Sequence, residues 1–318
     1  MKTFPPADHV LYRLPACAPA PALVHELDHA VMAWAEGPAE RDRLSATRAG
    51  ELIARAYPGL REDRAAPLAG WFAWLFLVDD LHDPDKAADA DVASRLLGTL
   101  VPEPGPAPDG PPLARHLAHV WQRIACTQSR WWRMRFLTHT MHFLSAFRYE
   151  ALYRRYRRVP TLREYVQLRR ASGSVTACLD LLEFATGREV PPLLHETDQL
   201  RGMFTRATDV VVWVNDVVSL EKELHIRESV NGVLVLQRQF GLTPEEAVNR
   251  VYGKVAADIH AFHAHERELQ RMCSSWPGLT GRDLTALASF TDGMKAWMRA
   301  NVDWSAHCAR YRHRQAAP

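Results

Sequence analysis

The sequence predicts an all-α protein, a single-domain helical bundle that spans residues 1–318. Two observations indicate this fold class. Apolar residues recur at helical spacing through most of the chain, and prolines and glycines mark the breaks between those stretches. No repeat of 20 to 50 residues is present, so a solenoid is not expected.

The N-terminal third predicts helices followed by a loop. Between Pro21 and Ala56, apolar residues alternate with charged ones in the pattern of two amphipathic helices. The next segment, WFAWLFLVDDLHD from Trp71, has eight consecutive apolar residues and few β-branched ones, which favours a buried helix over a strand. The stretch VPEPGPAPDGPP from Val101 to Pro112 holds six prolines and two glycines, a density that regular structure does not tolerate.

Helices resume beyond this loop. The breaks expected at Gly187, Pro191, Gly241 and Pro277 divide the rest of the chain. The run DVVVWVNDVV is β-branched, but it lies in a stretch without proline or glycine from Met203 to Val230, which indicates a buried helix. The predicted helical regions are 113–158 (two or more helices), 161–183, 198–227, 244–274 and 281–311.

Composition sets limits on location and partners. A net charge of +2 gives no broad field for nucleic acid, so no nucleic-acid partner is expected. The five cysteines are far apart and form no CxxC pair, which is typical of reduced thiols. The N-terminus lacks an apolar signal core, and the longest apolar run is too short to span a bilayer. We therefore expect a cytoplasmic protein without stable membrane insertion.

The first candidate site is the acidic string DDLHD at the end of the aromatic run. Asp79 and Asp83 are four residues apart, so on a helix they share a face and can aim carboxylates at one hard cation. An acidic helix end exposed to solvent is the common alternative. Position favours a metal site, because the carboxylates, including Asp80, follow directly on buried apolar residues where unpaired charge is costly.

The second candidate site is the string NDVVSLEKE. Asn215, Ser219 and Glu223 recur every four residues, so a helix places their oxygens on one stripe, and oxygen ligands suit magnesium. Lys222 can supply a point charge to a diphosphate. A surface polar face is the alternative, but an apolar stretch runs directly into Asn215.

The third candidate site is the pair Arg310-Tyr311, which offers phosphate-binding donors, although basic termini are usually solvated.

Taken together, these motifs resemble the class I terpene synthases of the microbial single-domain type, over nearly the whole chain. In that family, an aspartate-rich motif near residue 80, an NDxxSxxKE motif and a terminal RY pair occur in this order. The resemblance implies a helical bundle with a central apolar cavity. It also implies that EYVQLRRASGS holds a diphosphate-sensing helix break, with Arg169 as sensor, Ser172 as linker and Gly173 as effector. Arg170 is the rival sensor if the register differs by one, and Ala177 stands near the place where the family often has proline.

The resemblance also implies the chemistry. Three magnesium ions would be held by Asp79 and by the second motif, with Asp83 as a further ligand. Asp80 and Asp83 would orient ligands or pair with basic residues. The diphosphate of an isoprenyl substrate would be bound by Arg169, Lys222, Arg310 and Tyr311. A homodimer is possible by the same resemblance.

An apolar cavity that guides a carbocation needs aromatic faces, since their quadrupole attracts cations. Helical position favours Phe76, one turn before Asp79, and Trp304, two turns before Arg310. The other candidates for the cavity wall are Phe72, Phe147 and Trp213.

We expect a terpene cyclase that acts on farnesyl diphosphate. The alternatives are a diterpene synthase acting on geranylgeranyl diphosphate, a chain-elongating prenyl diphosphate synthase and a non-catalytic isoprenoid-binding module.

Overall fold

The fold is described from a computed structural model. The structure describes residues 3–81, 96–99, 101–103, 105 and 110–308. Three predicted site residues, Asp83, Arg310 and Tyr311, lie outside these residues.

Regular structure in the described part of the chain is entirely helical, which confirms the all-α prediction. A short 3-10 helix at Val10–Arg13 precedes the α-helices. No helix within the described ranges combines the length and apolarity needed to cross a bilayer. The helices are α1 (Pro21–Met32), α2 (Pro38–Thr47), α3 (Ala49–Ala56), α4 (Glu62–Leu81), α5 (Pro112–Ala125), α6 (Arg130–Arg155), α7 (Leu162–Ser172), α8 (Val175–Thr186), α9 (Pro192–His195), α10 (Asp198–His225), α11 (Gly232–Phe240), α12 (Pro244–Ser275) and α13 (Gly281–His307).

Two predicted helical regions are divided more finely than expected. Between Pro21 and Ala56 the chain forms three helices, because Arg48 adopts a left-handed φ of 50° and separates α2 from α3. The predicted helix at 161–183 is split into α7 and α8 at Gly173 and Ser174, within the segment where the family resemblance implied a helix break. Neither break carries proline, so the spacing of prolines did not mark them.

Helix α8 lies at the centre of the bundle. It contacts α4, α6, α7, α10 and α13. Its residues from Ala177 to Ala185 are buried, and the two acidic ones among them, Asp180 and Glu183, pair with Arg135 of α6. The helices around α8 leave a cavity between them.

Candidate active site

The cavity is apolar at one end and charged at the other. Its volume is about 190 Å³, and its wall is formed mainly by α4, α6, α8, α10 and α13. Lys222, Arg169 and several carboxylates occupy the charged end. Such a wall suits a ligand with a hydrocarbon chain and an anionic head group. The aromatic side chains on the wall are Phe72, Phe76, Phe143, Phe147, Trp297 and Trp304.

The structure therefore places Phe72, Phe76, Phe147 and Trp304 on the wall, but the prediction that Trp213 lines it is wrong. Two residues correspond to about 200° of helical rotation, so Trp213 faces away from Asn215 on α10. Its ring packs against Tyr165, with ring centroids 4.7 Å apart. It also lies so close to Gly232 that a Cβ atom there would approach the ring to 2.4 Å.

The two described aspartates of the first motif point in different directions. Asp79 lines the cavity at the end of α4. Asp80 is only 8% exposed and lies 3.6 Å from Nε of Arg43 on α2, outside the cavity wall. Consecutive helical positions differ by about 100° in direction, so both carboxylates cannot face one site. The structure thus brings Asp79, rather than Asp80, to the second motif.

The second motif lies on the cavity wall along α10. Asn215, Ser219, Lys222 and Glu223 all line the cavity. The hydroxyl oxygen of Ser219 lies 2.6 Å from Oε1 of Glu223 and 2.8 Å from the carbonyl oxygen of Asn215. The spacing of four residues on one helix therefore places the three oxygen-bearing side chains, Asn215, Ser219 and Glu223, side by side.

Glu223 is held by a residue that sequence reasoning missed. Asn231, at the N-cap of α11, donates from Nδ2 to Oε2 of Glu223 at 2.7 Å and to the carbonyl oxygen of Asp216 at 2.8 Å. Burial and the nearby charge of Asp216 raise the pKa of Glu223 to about 8, against the opposing effect of Arg169. A bound divalent cation would favour the ionised form of this carboxyl.

The donor chemistry fits magnesium. Amide, hydroxyl and carboxylate oxygens on one stripe are hard ligands, and the open cavity leaves coordination positions for water or phosphate. No cluster of three His, Cys, Asp or Glu side chains suited to a metal occurs among the described residues.

Arg169 joins the helix break to the second motif. Its Nε donates to Oδ1 of Asp216 at 2.7 Å, and its Nη2 donates to Oδ1 of Asn215 at 2.9 Å. Arg170 instead pairs with Asp209 at 2.7 and 2.8 Å and does not line the cavity. The geometry therefore favours Arg169 over its neighbour as the residue facing the ligand.

Asp216 is the buried anchor of this arrangement and was also missed by sequence reasoning. It is 0% exposed and accepts hydrogen bonds from the Tyr165 hydroxyl at 2.5 Å and from the backbone N–H of Gly232 at 2.6 Å. Together with Arg169, these donors satisfy a carboxylate that would otherwise be costly to bury. Its position directly after Asn215 in the second motif is the feature of the sequence that could have indicated this role.

The helix break does not depend on a left-handed conformation of Gly173. Gly173 keeps a right-handed φ of −71°, and Ser174 adopts the left-handed φ of 54°. Gly173 is required by close packing instead, because a Cβ atom there would lie 2.7 Å from Cγ1 of Val212. The carbonyl oxygens of Ser172 and Gly173 accept no hydrogen bond from the described residues. Both residues line the cavity.

The charged end carries three more residues that belong to none of the predicted motifs. Arg154 on α6 donates to Oε2 of Glu228 at 2.7 Å, and both line the cavity with Glu150. One side of Glu150 faces the cavity, but protein surrounds the rest. This burial, followed by the charge of Glu228, raises the pKa of Glu150 to about 7.

Comparison with known proteins places these features in a family. The model of terpene synthase family 2, described as C-terminal metal binding, matches residues 70–261. The chain is 32% identical to pristinol synthase of Streptomyces pristinaespiralis over 87% of this chain and 75% of that protein. It is 30% identical to (+)-T-muurolol synthase ((2E,6E)-farnesyl diphosphate cyclizing) of Roseiflexus castenholzii over 90% of this chain and 88% of that protein.

The fold is shared with solved structures of low sequence identity. A hedycaryol synthase structure superposes with a TM-score of 0.80 at 24% identity, covering 93% of this chain and 97% of that one. At this identity the likeness concerns the fold, and the sequence relatives carry the family assignment.

Proposed function

The chain belongs to the class I terpene synthases and is a terpene cyclase, and we propose that it converts farnesyl diphosphate to a sesquiterpene with the help of magnesium. The observation that carries this proposal is the cavity itself. Its aromatic end suits a hydrocarbon chain, and its charged end brings Asp79, Arg169 and the second motif together. The (+)-T-muurolol synthase relative, whose name states that it cyclises farnesyl diphosphate, supports the choice of a 15-carbon substrate.

The proposed metal ligands are Asp79, Asn215, Ser219 and Glu223, with Asp83 completing the first motif. We propose three magnesium ions. When bound, magnesium supplies positive charge that favours departure of the diphosphate. Arg169 and Lys222 are the described cations placed to bind that diphosphate, and Arg310 and Tyr311 are proposed to join them.

The protein contributes binding and exclusion of water rather than a nucleophile. The aromatic rings on the wall stabilise an allylic cation through their quadrupoles. The apolar wall keeps bulk water from that cation. Phe72 and Phe76 line the cavity from α4, and Trp304 lines it from α13. The ring centroids of Phe76 and Trp304 lie 6.2 Å apart. A homodimer is part of the proposal only by family resemblance.

The test uses the purified full chain with magnesium and geranyl, farnesyl or geranylgeranyl diphosphate. We expect diphosphate release and a cyclic 15-carbon product from farnesyl diphosphate, without isopentenyl diphosphate. Asn215→Ala should abolish release while leaving the helical circular dichroism intact. Release that requires isopentenyl diphosphate would indicate chain elongation instead. A preference for geranylgeranyl diphosphate would correct the substrate, and the absence of release from all three would defeat the proposal.

A further inference from the structure

One polar side chain lies among the aromatic residues that α13 contributes to the cavity. Trp297, Asn301 and Trp304 line the wall from this helix. Asn301 is only 3% exposed, and its amide nitrogen donates to the carbonyl oxygen of Val211 at 3.2 Å. Its amide oxygen has no hydrogen-bond partner among the described residues.

The position of Asn301 separates it from the charged end of the cavity. Its partner Val211 lies four residues, or one turn, before Asn215 on α10, towards the N-terminal end of that helix and away from Lys222 and Glu223. Around it the wall is apolar, with Val211, Val212 and the two tryptophans. The amide nitrogen is fixed by Val211, so the orientation of the side chain is set and the oxygen is the atom left over.

The Asn301 side chain lines the cavity, and an amide oxygen there without a partner among the described residues can accept a hydrogen bond from a bound molecule. A carbocation cavity offers two partners, the cation itself or one water molecule. A water is favoured when a second acceptor is present, because a buried water makes two to four hydrogen bonds. The free carbonyl oxygens of Ser172 and Gly173 supply such acceptors, and Gly173 packs against Val212, next to Val211.

We infer that Asn301 holds the water molecule that ends the reaction, so that the product is a terpene alcohol. This inference rests on the proposed function. The water donates its hydrogens to Asn301 and to a carbonyl oxygen of the break, which leaves an oxygen lone pair for the final carbocation. A carbon–oxygen bond forms, and the proton that is lost passes to a diphosphate oxygen. Without the water, the same cation loses a proton from carbon and gives a hydrocarbon.

The test compares three variants in ¹⁸O-labelled water with farnesyl diphosphate and magnesium. Asn301→Leu keeps the approximate volume but removes the amide. Asn301→Asp keeps a carbonyl oxygen and, when protonated, a donor to Val211. Ser305→Ala is the matched control, because Ser305 is a buried polar residue one turn further along α13 that does not line the cavity. Labelled alcohol, hydrocarbon and total diphosphate are measured for each.

We expect the wild type to form a labelled alcohol. Asn301→Leu should lower the alcohol-to-hydrocarbon ratio about tenfold or more, the effect of losing one hydrogen bond of about 1.4 kcal/mol, while diphosphate release continues. Asn301→Asp and Ser305→Ala should keep the ratio.

Three outcomes would overturn the inference. The first is a wild type that makes only hydrocarbon, and the second is an unchanged ratio in Asn301→Leu. The third is a loss of alcohol in folded Asn301→Asp, which also serves as the deciding variant if Asn301→Leu does not fold. In the first two cases diphosphate release would still support the cyclase, whereas failure of the cyclase itself would appear as no release by the wild type.

Discussion

The guanidinium of Arg169 donates to the amide oxygen of Asn215 at 2.9 Å, across 46 positions of sequence. This is the same oxygen that is proposed to ligate magnesium. A cation and a guanidinium compete for one amide oxygen, so we expect metal binding to release this group of Arg169 towards the incoming diphosphate. The second anchor of Arg169, the ion pair with Asp216 at 2.7 Å, can hold the side chain in place during that exchange.

Substitutions of Arg169 and of its neighbour Arg170 should have different effects on activity and stability. Arg169→Lys should lower kcat/KM by about 100-fold or more, because a lysine cannot bind Asp216 and a diphosphate with the same planar fork. Arg170→Lys loses the two-bonded pair with the buried Asp209, outside the cavity wall, and should change Tm more than kcat/KM. Steady-state kinetics and thermal unfolding of both variants check this. Equal activity losses would show that the register of the sensor is wrong.

The two aspartates of the first motif should also differ. Asp79→Asn removes a carboxylate on the cavity wall and should lower activity strongly and raise the magnesium concentration needed for half-maximal rate. Asp80→Asn weakens the contact with Arg43 and should have the smaller kinetic effect. A magnesium titration of each variant measures the difference. A larger shift for Asp80→Asn would contradict the assignment of Asp79 as the metal ligand of this pair.

The close packing at the helix break can be tested by a mutant cycle. Gly173→Ala places a Cβ atom 2.7 Å from Cγ1 of Val212 and should destabilise the protein by about 1–3 kcal/mol, as overpacking does. Val212→Ala removes that methyl group, so the double variant should recover part of the loss. Denaturant unfolding gives the four free energies. Strictly additive effects would argue against this contact as the reason for glycine.

Glu150 predicts an unusual pH dependence of stability. Its folded-state pKa of about 7 lies above the ordinary value of 4.5. Between those two pH values the folded state binds more protons than the unfolded chain, so the free energy of unfolding falls as pH rises through this window. Glu150→Gln removes the penalty and should raise Tm at pH 8 but not at pH 4, without added metal. An equal Tm change at both pH values would contradict the assignment.

The local pattern was enough for the fold class and for the main motifs. Apolar composition and helical periodicity indicated α4 from Trp71 onward and the helices α10, α12 and α13, because these signals depend on residues near one another in sequence. Spacing by four residues also placed Asn215, Ser219 and Glu223 on one stripe, since helix geometry fixes that relationship wherever the helix lies.

What lay beyond local pattern was decided by packing between helices. The prediction for Trp213 overlooked helix geometry, because two residues correspond to about 200° of rotation from Asn215, and the ring packs against Tyr165 behind the cavity wall. The sequence could not show that Asp216, Tyr165 and Asn231 hold the site, because their contacts cross 8 to 51 positions of sequence.

The sequence by itself thus determined the main helices, the family and the oxygen-bearing side chains of the two metal motifs. Only the tertiary structure decided that Asp79 and not Asp80 faces the cavity, that Gly173 is required by Val212, and that the amide oxygen of Asn301 has no partner within the part of the chain that the structure describes. The physical reason is that helix formation follows from neighbouring residues. The direction in which a side chain points, and what it meets there, depends on how distant helices pack.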